Sequence, residues 1–248
     1  RQMCIRDRGN ANLGGRRFAY LSTITDDYET LNMYKWGLDS SYGLTGMAEG
    51  EFAVQDLTWE IVNKMNLGVE LGFLNGMIDL QLDYFDERRK DIFMPRESVP
   101  MTAGFMKQPW KNFGKVTNQG VEVSLNVNKQ FGKDLFVSLM GTFTYAHNEI
   151  TEKDEPSAVV GTNRAETGHP VGQLTGYIAE GLFTADDFED VSTGKLKEGI
   201  PTQSFVGKLR PGDIRYRDVN GDGKVDVFDK SPIGGTKDPE IVYGFGLN

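Results

Sequence analysis

Leu57 to Ile92 reads LTWEIVNKMNLGVELGFLNGMIDLQLDYFDERRKDI. From Met65 the residues alternate. Met65, Leu67, Val69, Leu71 and Phe73 share one side; Asn66, Gly68, Glu70 and Gly72 share the other, with the period of two that belongs to a β-strand. Asn75-Gly76 then supplies two residues that tolerate positive φ, the strongest short-range signal for a tight hairpin. The return arm puts Ile78, Leu80, Leu82 and Tyr84 on one face and Asp79, Gln81 and Asp83 on the other. Both arms exceed the usual strand of about 5–6 residues. One face is apolar and the other carries carboxylates. A wall between lipid and a wet lumen needs that pattern, over roughly 9–11 tilted residues. The stretch predicts an all-β chain, part of a large antiparallel transmembrane β-barrel.

Composition agrees. The 30 glycines, 15 phenylalanines and 9 tyrosines suit a strand-and-turn protein. A net charge of −9 argues against nucleic acid, which rewards a basic stripe. No apolar run approaches the roughly 18 residues of a membrane helix, so any span must be made of strands. The single cysteine, Cys4, excludes an internal disulfide framework and any multi-cysteine metal site. Residues 1–8, RQMCIRDR, fit no pattern that follows and resemble translated sequencing-adapter sequence. They are read as a non-native extension, leaving 9–248 as part of a barrel that continues beyond both ends of the chain.

Working outward, Arg16 to Thr25 is a plausible strand, Asp26 to Asp56 is irregular, and Phe93 to Lys115 reads as a long loop. Alternation returns at Val116, with Val121, Val123, Leu125 and Val127 opposed to Glu122, Ser124, Asn126 and Asn128. Phe131-Gly132-Lys133-Asp134 makes a second short turn, and Leu135 to Asn148 returns. About ninety polar residues follow, from Ile150 to Pro239, before Ile241 to Leu247 starts another strand. Short turns alternating with long connections place the former in the periplasm and the latter outside the cell. Trp59, Tyr84, Phe85 and Tyr145 are candidates for an aromatic girdle. Asn66, Glu70, Asp79, Gln81, Asp83, Glu122 and Asn126 are candidates for the lumen, and Phe105, Trp110 and Phe113 for loop contacts with substrate or a lid. His147, His169 and the acidic run Asp186, Asp187, Glu189 and Asp190 assemble no nucleophile, base and orienting acid, so no catalytic residue is expected.

Asp218 to Asp229, DVNGDGKVDVFD, has the spacing of a twelve-residue calcium loop. Asp218, Asn220 and Asp222 fall at positions 1, 3 and 5, and Gly223 at the sharp turn. Lys224 offers its carbonyl at 7, Asp226 lies at 9 and Asp229 closes at 12. A structural Ca2+ is the expected occupant, although the closing residue is Asp rather than Glu and the flanks do not read as helices.

Gly207 to Asn248, together with LTWEIVNKMNLGVEL (Leu57–Leu71), VTNQGVEVSLN (Val116–Asn126) and GHPVGQLTGYIAEGLF (Gly168–Phe183), resembles the SusC/RagA-type TonB-dependent transporters. The resemblance implies an outer-membrane barrel of a Gram-negative bacterium, of the roughly 22-stranded plugged class. It also implies import of oligosaccharides or peptides beneath a SusD-like surface lipoprotein, powered by the TonB complex. The plug and the TonB-contacting segment have no counterpart here. Two other readings follow from the residues alone: a secreted β-rich glycan-active enzyme, and a calcium-binding surface adhesin.

Overall fold

The computed structural model describes every residue except 1, 10, 17, 26–33, 37, 39–41, 45, 46 and 106. It divides into two units, Arg1–Ser157 with Glu240–Asn248, and Ala158–Pro239.

The first unit is built on a six-stranded sheet. Its strands are β1 (Gln2–Gly9), β2 (Glu60–Phe73), β3 (Ile78–Pro95), β4 (Trp110–Phe131), β5 (Leu135–Glu152) and β6 (Ile241–Leu247), in spatial order β1-β2-β3-β4-β5-β6. Every neighbouring pair is antiparallel. The β2–β3 turn forms where the sequence places it. Asn75 and Gly76 take φ of 56° and 82°, and the Met77 amide donates to the Leu74 carbonyl. Two central residues at positive φ give the twist that matches two right-twisted strands. The second turn uses Gly132 at φ 68° between the facing residues Phe131 and Leu135.

Register converts the alternation of each strand into rows across the sheet. Leu67, Tyr84, Val121, Tyr145 and Ile241 form one row; Val69, Leu82, Val123, Phe143 and Tyr243 the next. Leu71, Leu80, Leu125, Gly141 and Phe245 follow, then Phe73, Ile78, Val127, Leu139 and Leu247. A one-residue slip in any strand would move its apolar set to the other face, so the buried or lipid-facing side fixes the register. These side chains are left open to the surroundings: Leu67 is 50% exposed, Val69 45% and Phe245 86%. An apolar face of this extent, left exposed among the described residues, calls for a non-aqueous neighbour.

Several expectations change. The segment Phe93 to Lys115 is not one long loop, because β3 continues to Pro95 and β4 begins at Trp110; only 96–109 connects them. Beyond the Tyr84 row neither face has to be uniformly apolar, so the alternation that marks a strand disappears while the backbone pairing continues through a bulge at Arg89–Phe93. Arg16 to Thr25 is not a strand either. Turns with Ala19 N–H on the Arg16 carbonyl and Leu21 N–H on the Phe18 carbonyl leave only Ile24–Thr25 extended. Arg17 and much of Asp26 to Asp56 lie outside the described residues. Residues 2–9 do pair, along Glu60–Leu67, yet they run against the alternation: Met3 and Ile5 fall in the rows of Asn66 and Lys64, on the polar side.

The second unit is a folded body with its own core rather than a plain loop. Phe183, Phe188 and Leu209 are buried together, with Leu196, Ile200 and Val206 against them. Four short strand pairs frame it: Gln173–Gly176 on Ser231–Thr236, Ala179–Leu182 on Ile214–Tyr216, Phe188–Asp190 on Lys195–Leu196, and Thr202–Gln203 parallel to Lys224–Val225. Pairs of two to six residues are too short to show a period in the sequence.

Candidate functional site

The polar face of the sheet gathers the seven residues that the sequence assigns to a lumen. Glu70 stands opposite Gln81, Asp79 opposite Asn126, and Asp83 opposite Glu122, with Asn66 in the row of Phe85. Two carboxylates directly across a strand pair repel unless something intervenes. Here the Gln81 side-chain amide donates to Asp83 Oδ2 at 2.8 Å. One row nearer the ends, Lys64 lies 3.9 Å from Glu87. The face is therefore hydrated and mainly acidic, and it is one continuous surface across three strands.

Phe85 also lies on that face, in the row of Asn66, and this corrects its assignment to the girdle. Its ring packs against Gly120: a Cβ there would stand 2.5 Å from the ring and 2.2 Å from the Tyr145 carbonyl oxygen. Gly120 is thus required by close approach rather than by backbone torsion. Trp59 is also not at the band edge, since it precedes β2 and lies eight residues from Leu67. Tyr84 and Tyr145 do share the terminal apolar row, both outward.

The ring residues proposed for loop contacts are already engaged. Trp110 packs on a core of Ala19, Val54 and Phe93, its ring 5.1 Å from that of Phe93, and the Arg16 guanidinium sits 3.9 Å above it. Phe105 meets Phe52 edge-on at 4.5 Å. Arg96 lies 5.8 Å from the Phe113 ring. Trp110 and Phe113 belong to β4, not to a loop.

Two buried carboxylates hold this end of the sheet, and sequence reasoning missed both because a lone Glu or Asp carries no pattern. Glu60, 2% exposed, accepts from the Asn12 side-chain amide at 2.9 and 3.1 Å and from the Phe93 amide at 3.4 Å. Asp154 accepts from Arg96 Nε at 2.9 Å, Ser98 Oγ at 2.8 Å and the Ser98 amide at 3.1 Å. Burial pushes the Asp154 carboxyl up, but the Arg96 and Ser98 hydrogen bonds and the Arg96 charge outweigh it and hold the group below the ordinary carboxylate range.

In the second unit, residues 218–229 form a loop closed by its own amides. Asp218 Oδ1 and Oδ2 accept from Gly221 and Gly223; Asn220 Oδ1 accepts from the Asp222 amide, Asp222 Oδ1 from Lys224, and Asp226 Oδ1 from Phe228. Asp229, fully buried, takes the amides of Val219, Asn220 and Asp226. Among the described residues no three His, Cys, Asp or Glu side chains converge as a metal cluster. The acidic run is likewise taken up locally. Asp187 caps Thr184, and Asp190, pulled down to about 2 by the Ser192 and Thr193 hydroxyls, closes a turn. His147 Nδ1 lies 2.6 Å from Glu240 Oε1. His169 lines a cleft with Arg164, Glu166 and Lys230.

The family model described as TonB dependent receptor-like, beta-barrel, matches residues 10–234. The chain belongs to the TonB-dependent receptor β-barrel family. TonB-dependent receptor SusC of Bacteroides thetaiotaomicron is 29% identical over 236 residues, covering 90% of this chain and 20% of that protein. TonB-dependent receptor P3 of Formosa agariphila is 24% identical over 234 residues, 89% of this chain and 22% of that protein. Among solved structures, the RagAB peptide transporter superposes with a TM-score of 0.62 at 21% identity, over 99% of this chain and 24% of that one. The RagAB peptide importer in its open-open state gives 0.60 at 20% identity, again over 99% of this chain and 24% of that one. The chain thus spans about a fifth to a quarter of the length of these relatives. It is part of an outer-membrane β-barrel of the SusC/RagA type.

Proposed function

We propose that this segment forms part of the wall and mouth of an active transporter, which imports oligosaccharides or peptides beneath a SusD-like lipoprotein and draws its energy from TonB. The observation that carries the reading is the register. It puts four rows of apolar side chains on one face, and Glu70, Asp79, Asp83 and Glu122 on the other. In such a barrel those carboxylates border the path of the substrate or the plug. The peptide half of the substrate class rests on the likeness to the RagAB peptide transporter, and the oligosaccharide half on the resemblance to SusC/RagA-type sequences. The direct experiment is uptake of labelled oligosaccharide and peptide pools by cells carrying the complete receptor, with affinity purification of whatever lipoprotein accompanies it. Uptake that stops when the proton gradient is collapsed, with a lipoprotein retained, supports the proposal. Gradient-independent uptake, or none of either pool, refutes it.

We also propose, from the spacing of Asp218, Asn220, Asp222, Lys224, Asp226 and Asp229, that a Ca2+ ion stiffens this loop. Each amide-bound carboxylate oxygen of this loop retains a further lone pair for a hard cation, except Asp229 Oδ1, which already accepts from both the Val219 and Asn220 amides. Millimolar calcium should slow amide hydrogen exchange across residues 218–229 relative to EDTA. Identical exchange in both would remove calcium from the account.

A further inference from the structure

The outward face does not end at the Val127 row. Continuing toward the short turn, Lys129 stands opposite Val137, and Phe131 opposite Leu135. Phe131 is 48% and Leu135 56% exposed, so the apolar surface resumes beyond the lysine. Ten residues separate Phe131 from Val121, about 33 Å of strand. At a barrel tilt of about 40° this is roughly 25 Å of depth, the height of a lipid-facing apolar band. Phe131 and Leu135 therefore mark the edge of the hydrocarbon on the short-turn side. Lys129 has its backbone one row, about 5 Å, inside that edge.

A lysine there must send its ammonium to the boundary. Lys129 does so: its Nζ lies 4.9 Å from the centre of the Phe131 ring, directed toward the turn. Around it on that face stand Val127, Val137, Leu139, Phe131 and Leu135, with no carboxylate among them. The turn itself carries one charge of each sign, Lys133 and Asp134. The group that meets an ammonium held at this depth, over an aromatic ring, is a lipid headgroup phosphate. We propose that Lys129, with Phe131 and Leu135 beside it, is a contact site for the headgroup of an anionic phospholipid in the periplasmic leaflet. The proposal rests on the barrel-wall reading with short turns in the periplasm.

The test places a photoreactive benzoylphenylalanine at Val137, across the strand pair from Lys129, in the complete receptor. A second probe at Leu80 serves as a mid-band control, and Leu135 as an alternative site should the Val137 variant fold poorly. The protein is reconstituted in vesicles of equal phosphatidylglycerol and phosphatidylcholine, and lipid adducts are weighed by mass spectrometry. One lysine at an anionic surface should enrich phosphatidylglycerol adducts about fivefold at Val137. Lys129→Arg should keep the enrichment, and Lys129→Gln should return it to the bulk ratio, with no enrichment at Leu80 in any variant. Equal adducts at Val137 in the unaltered protein, or enrichment that survives Lys129→Gln, would overturn the lysine site alone. Absence of lipid adducts at both Val137 and Leu80 would overturn the barrel wall itself.

Discussion

Leu125→Arg is the substitution that separates a membrane wall from a soluble sheet. Leu125 sits in the row of Leu71, Leu80 and Phe245, on the open apolar face. It lies six residues from Phe131 and four from Val121, about 15 Å and 10 Å in depth, and so close to the middle of the band. An arginine near the midplane of a transmembrane barrel costs about 2–4 kcal/mol, roughly a 30- to 900-fold loss in the folding equilibrium. The cost falls to about 0–1 kcal/mol near the interface, which Val121→Arg and Gln119→Arg probe. Ser124→Arg, one residue away but on the polar face, should change stability by no more than about 0.5 kcal/mol. Urea titration of the complete receptor in lipid vesicles, read by the gel shift on boiling, gives all four values. A soluble core would also object to arginine at Leu125, but not in proportion to membrane depth. Equal costs at Leu125 and Val121 would refute the argument.

Three further substitutions probe the residues that hold the sheet. Gly120→Val drives a side chain into the Phe85 ring and the Tyr145 carbonyl, and should cost about 1–3 kcal/mol; the paired change Phe85→Ala should recover only part, since the carbonyl stays in place, and full recovery would contradict the assigned geometry. The Asp154 carboxyl is depressed, so the stability it contributes is present above its ordinary value of 3.8 and is lost as pH falls through its lower folded value. Hydrogen exchange at the Ser98 amide should therefore keep its protection from neutral pH down to that value and lose it only below. Asp154→Ala, which leaves no acceptor, should remove protection already at neutral pH, and a pH-independent Ser98 amide in the unaltered protein would show that the carboxylate is not what holds it.

The spanning part of the fold was legible because one face of every strand there answers to a single solvent. Val69, Leu82, Val123 and Phe143 could be assigned a face before any pairing was known, and the rows confirm those faces. Above the Tyr84 row that uniform demand stops, so the extensions of β3 to Pro95 and of β4 back to Trp110 left no period to read. Trp110 and Phe113 looked like free loop rings for the same reason, whereas the Arg16 and Arg96 guanidinium groups already lie over them. The second unit was opaque because its strands are two to six residues long and its core of Phe183, Phe188 and Leu209 is scattered through the sequence. Glu60 and Asp154 are set by contacts 33 to 58 residues away, which no local pattern records.

Fractionation of the complete receptor, with gel mobility compared before and after boiling, tests the barrel wall most directly. A protein that stays with the outer membrane and migrates as a compact species until heated is the expected result. A protein recovered in the soluble fraction, with one mobility at both temperatures, would contradict it.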